Sequence, residues 1–130
     1  MQTRRTLRES VGKALVVQVT WAILAAVWNA AGVALIARGL RAPGPTASVG
    51  AAVLLLAVAV ALVLSIARWP VAYALLSAGA GLMALAAVVN AFVQDPALWP
   101  SEFWRYAGAL LNGAGVVACA AALLASFGRR

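Results

Sequence analysis

Four stretches of this chain, residues 15–37, 50–67, 71–93 and 104–127, are almost wholly apolar and hold no Asp, Glu, Lys or Arg in their middle. Each is close to the roughly 20 residues that an α-helix needs to cross a hydrocarbon core about 30 Å thick. Inside lipid the backbone must satisfy its own hydrogen bonds, so runs of this kind cross as helices. The sequence therefore predicts an all-α, integral membrane four-helix bundle. With 65% of residues hydrophobic, 10% charged and a mean hydropathy of +0.99, the composition departs from that of soluble domains, about half apolar and a quarter charged. Residues 1–130 are expected to form a single transmembrane domain, since four spans use nearly the whole length.

The charged residues set the expected orientation. Arg4, Arg5, Arg8, Lys13, Arg68, Arg129 and Arg130 fall in tails and a turn that an up-down-up-down path places on one side, and only Arg38, Arg41 and Arg105 fall on the other. Basic residues are retained on the cytoplasmic side, which predicts N-in/C-in in a bacterial-type cytoplasmic (inner) membrane. The net charge of +7 is thus read as topology and contact with anionic headgroups, and no nucleic-acid partner is expected. Thr3, Arg4 and Arg5 resemble the start of a twin-arginine signal. The apolar run behind them outlasts the roughly 7 to 15 residues of a signal core, so it is read as a retained span.

Within the spans, small and polar residues recur in steps of four and three. In span 4 these are Gly108, Asn112, Gly115, Cys119, Ala122 and Ser126; in span 1 they are Gln18, Ala22, Ala25, Asn29 and Gly32, with Ile36 continuing the spacing. That spacing lines one face of a helix, and in lipid small residues and amides mark the packing side. Span 3 offers two flanks, Ser77 with Gly81 and Gly79 with Met83, Ala86 and Asn90. Span 2 lacks a polar side chain before Ser65 and reads as the most lipid-exposed helix. Gly39, Pro43, Gly44 and Pro45 interrupt the chain after span 1, Trp69 and Pro70 make an abrupt turn, and Ser101 is placed to cap span 4.

Three carboxamides, Asn29, Asn90 and Asn112, fall in the outer half of the predicted bilayer, between about 5 and 12 Å inside the ends of their helices. One role is interhelical glue, worth about 0.6 kcal/mol per hydrogen bond. The other is a polar pocket whose rim is supplied by Asp95, Glu102, Trp99 and Trp104, with Trp28 beside it. Gln18, Ser77 and Ser65 form a second polar group toward the inner ends and are read as mutual satisfaction. Trp69, Trp99 and Trp104 suit the headgroup layer, while Trp21 and Trp28 are read first as bulky residues facing lipid.

The absent residue types narrow the chemistry. Without a single His, the usual haem, zinc and copper ligand sets and His-based proton transfer are missing. The one cysteine, Cys119, rules out an internal disulfide and a multi-cysteine metal site. No catalytic residue, metal or cofactor is expected, and the chain is read as a non-enzyme. Small multidrug-resistance transporters carry a Glu within the first span, whereas Glu9 precedes it here. Small dimeric fluoride channels carry a Gly-Arg span motif and a Phe-lined track that this sequence lacks. Lys13 to Gln18 resembles the basic entry into the Gln-containing first span of the ATP-synthase accessory protein I, and the likeness ends there. The expected function is an accessory or assembly subunit docking on a larger membrane complex or on its own copy, with the lipid bilayer as its other partner. A small dimeric transporter or lipid-carrier flippase using the outer amides, and a holin-type pore former, are the alternatives.

Overall fold

The structure, a computed structural model, describes residues 2–128, with side chains from residue 8 onward. Four α-helices follow one another: α1 (Gln2–Ala37), α2 (Val49–Arg68), α3 (Pro70–Val93) and α4 (Glu102–Phe127), with a short 3-10 helix, Pro96–Leu98, between the last two. All four are long and apolar enough to cross a membrane. The span boundaries read from the sequence hold to within two residues except at the start of α1, where the basic tail is itself helical from Gln2.

Local chemistry explains the breaks. Gly39 has φ +75, and the bonds Leu40 N to Leu35 O and Gly39 N to Ile36 O, both 2.9 Å, close α1 with a left-handed cap. Ser48 opens α2, its hydroxyl accepting from Ala51 N at 3.0 Å. Between α2 and α3 only Trp69 intervenes. Pro70 disfavours helical geometry in the residue before it and lacks the amide that the first helical position would leave unpaired, so a new helix starts at once. Ser101 does precede α4 in extended geometry, but its side chain makes no capping hydrogen bond.

Each helix packs along its two sequence or ring neighbours: α1 on α2 and α4, α3 on α4 and α2, with the α3–α4 pairing the most extensive. The core is layered. Val11, Ala14, Leu62, Tyr73 and Ala122 meet at the end that carries the termini. Trp21, Ala22, Ala25, Leu55, Ala59, Ala80, Ala84 and Cys119 fill the middle. Ala91, Trp99 and Ala109 close the end that carries the two loops. Alanine dominates because it lets backbones approach closely, the packing mode expected where lipid supplies no hydrophobic drive.

Several expectations are revised. Trp21 is 3% exposed and lies against Gly115, inside the bundle instead of toward lipid. Gly32 is buried, yet its neighbours are Ala42, Pro43 and Ala47 of the first loop, not another helix. On α3 the buried face is Tyr73, Ser77, Ala80, Ala84 and Ala91; of the alternative flank, Gly79, Ala86 and Asn90 are exposed, while Met83 packs against the middle of the core. Leu110, Val117 and Leu124 of α4 are 77%, 70% and 74% exposed, an apolar surface too extensive for water.

Candidate functional site

Two polar groups break the apolar interior. The first is centred on Gln18, 0% exposed, at the middle of the bundle. Its Nε2 donates to Ser77 Oγ at 2.9 Å and approaches Cys119 Sγ at 3.6 Å, while the Tyr73 hydroxyl donates to its Oε1 at 2.7 Å. One carboxamide on α1 thereby reaches α3 across the diagonal and its neighbour α4 at once. Ser65, expected in this layer, bonds instead to Leu62 O of its own helix. Tyr73 carried no signal in the sequence beyond its i, i+4 spacing to Ser77. The members of this group are all buried and bond one another across three helices.

The second group lies at the loop end, around Trp28. Here the first loop folds back onto the helices: Gly44 sits so close to the indole that a Cβ there would come within 3.2 Å of Trp28 Nε1. Arg41 reaches across to the carbonyl of Ala97 and ties the two loops together. Gly108, on the facing stretch of α4, lies beside the far edge of the same ring. Trp28 and Trp104 meet edge to face with centroids 5.8 Å apart.

Three cavities share Trp28 as a wall. Between α3, α4 and the first loop is a cleft of about 320 Å³, bordered by Asn90, Asn112, Gln94, Thr46, Trp99 and Arg105. Deeper, a space of about 260 Å³ is bordered by Asn29 and Asn112 with Trp21, Leu55 and Met83. On the outer side of the indole, a groove of about 520 Å³ runs between α1 and α4. The structure thus brings all three predicted carboxamides to the borders of adjoining cavities, where they do not bond one another. Asn29 donates to Ala25 O at 2.9 Å and Asn112 to Gly108 O at 3.0 Å, each on its own helix. Asn29 Oδ1 also accepts from Ser48 N at 3.3 Å, which anchors the loop. Asn90 is exposed, and its side chain has no hydrogen-bond partner among the described residues.

The expected rim is only partly assembled. Trp99 is buried at the cleft and Trp104 borders the groove. Asp95 faces elsewhere, accepting from Ala97 N at 2.9 Å to start the 3-10 helix. Glu102 pairs with Arg105 at 2.7 Å. Arg105 is the residue that sequence reasoning passed over, having been assigned to the loop. One turn inside α4, it is mostly buried, lies 5.2 Å from the Tyr106 ring and 5.9 Å from the Phe92 ring, and leaves its Nε without a partner. Its place beside Tyr106, five residues after the helix break at Pro100, was the available signal. Among the described residues no cluster of His, Cys, Asp and Glu is arranged to hold a metal. Compared with known protein families, characterised proteins and solved structures, the chain matches none.

Proposed function

We propose that this is a non-enzymatic integral membrane protein that binds a lipid-type amphiphile at its loop end, as a carrier or flippase-like module. The observation that supports it is the set of carboxamides at membrane depth that border cavities without bonding one another. Amides in lipid pair across helices when they serve as glue. Here Asn90 and Asn112 border a cleft together with a guanidinium that retains an unpartnered N–H, a combination suited to a polar headgroup. The apolar groove on the other side of Trp28 suits a hydrocarbon chain. Pockets of this kind, mostly apolar with a few convergent polar groups, are the usual form of small-molecule sites.

Native mass spectrometry of the chain purified in mild detergent tests this. A retained lipid is expected, lost in Asn112→Ala at an unchanged melting temperature, because Asn112 bonds only its own helix. A wild-type chain that carries no lipid, or a variant that retains it equally, would overturn the proposal.

One observation favours the accessory-subunit role. The Gly108, Gly115 and Cys119 seam is spent on internal packing, but nearer the termini a second α1–α4 groove of about 800 Å³ exposes Gly113, Ala114 and Ala121. Small residues facing outward would admit a partner helix, from a larger complex or a second copy. A stable dimer or a stoichiometric membrane partner in mild detergent, abolished by Gly113→Leu, would support that role.

A further inference from the structure

The groove beside Trp28 has dimensions and charge that specify its occupant more closely. On α1 it is bordered by Leu24, Val27, Ala31 and Leu35, and on α4 by Trp104 and Leu111. From Leu24 to Leu35 it runs about 16 Å, counting 1.5 Å per residue. That is half of a hydrocarbon core of about 30 Å, the depth of a single leaflet. At its loop end stands Arg41, the one charged residue on its border. The guanidinium gives one N–H to the Ala97 carbonyl, and no carboxylate among the described residues pairs with it. An apolar slot one leaflet deep, ending in an unneutralised cation at headgroup level, complements an amphiphile with one negative charge at the top of a hydrocarbon chain. A partner helix would instead need contact through the full thickness and would leave Arg41 without a counter-charge.

We propose that the α1–α4 groove holds one anionic phospholipid of the loop-end leaflet, its acyl chain along Leu24–Leu35 and its phosphate on Arg41. The assignment rests on the amphiphile-binding function above and adds the charge of the ligand and the seat of its chain and phosphate; the amide cleft across Trp28 takes the polar part of the headgroup beyond the phosphate. Trp28 and Trp104 border the slot, so they report its occupancy. Trp69 lies at the opposite end of the bundle, and Trp21 and Trp99 are buried.

The test is tryptophan quenching in the full-length chain in dodecyl maltoside. Phosphatidylglycerol or phosphatidylcholine with brominated acyl chains is added, and emission is followed. Phosphatidylglycerol should quench saturably at about fivefold lower concentration, the effect of one basic residue on an anionic lipid. Arg41→Gln should erase that preference and Arg41→Lys should keep it. Ala31→Phe, on the exposed wall of the groove, should weaken saturable quenching by both lipids without lowering the melting temperature. Equal quenching by the two lipids, or an undiminished preference in Arg41→Gln, would overturn the anionic assignment and leave amphiphile binding standing. Displacement by millimolar inorganic phosphate would make Arg41 a free-anion site and overturn the lipid assignment. Absence of saturable quenching by either lipid would sink this proposal together with the function it rests on.

Discussion

At the scale of single residues, two glycines on α4 make opposite demands. A Cβ at Gly115 would lie 2.4 Å from Trp21 Cε2 and 2.5 Å from its Nε1, against a ring that is itself buried. Gly113 has nothing within 4 Å of the same atom. Gly115→Ala should therefore destabilise the chain by about 1–3 kcal/mol, the cost of overpacking a filled core. Gly113→Ala should leave stability unchanged or raise it by up to about 1 kcal/mol through helix propensity. Melting temperatures of the two variants in one detergent, taken side by side, check both signs. Gln18 is the second sensitive position. Gln18→Leu removes the acceptor of the Tyr73 hydroxyl and the donor to Ser77 in a layer closed to water. A loss of about 1–3 kcal/mol is expected, the cost of unmet buried polar groups. Unfolding in mixed micelles measures it.

At the scale of elements, the first loop contributes more than a connection. Ser48 caps α2 while its own amide donates to Asn29 Oδ1, so α1 holds the start of the next helix. Asn29→Leu should free this segment at a cost of about 1 kcal/mol, comparable to the loss of a helix cap. Limited proteolysis between Ala42 and Ser48, faster in the variant, is the measurement. The helices themselves were legible in the sequence because apolar length and the Gly39, Pro43 and Pro70 breaks each have a direct physical meaning. The α4 seam was legible for the same reason, through Gly115 and Cys119. What periodicity does not encode is how a loop returns. Gly32 reads as a helix-contact residue by spacing and is in fact the floor under Ala42 and Ala47. The carboxamides were found by residue type alone, but whether they pair or border a cavity depends on backbone positions brought together only by packing. Arg105 was passed over because a cation near a helix start reads as solvated until Phe92 and Tyr106 are seen around it.

At the scale of the whole molecule, the layered core brings the start of α1, the α2–α3 turn and the end of α4 to one end. Arg4, Arg5, Arg8, Lys13 and Arg68 belong to that end by chain position, and Arg38, Arg41 and Arg105 to the other. This imbalance is the basis for expecting both termini in the cytoplasm. A fluorescent protein fused after Arg130 should therefore fold and emit, and an alkaline phosphatase in its place should be inactive; the reverse pattern would invert the sidedness of the lipid site as well. The middle layer also holds the only thiol of the chain, Cys119, 1% exposed. A maleimide can reach it only when the helices part. Its alkylation rate is thus a native clock for breathing motions, readable without an introduced label, and any added surface cysteine can be tagged selectively while the wild-type thiol stays shielded.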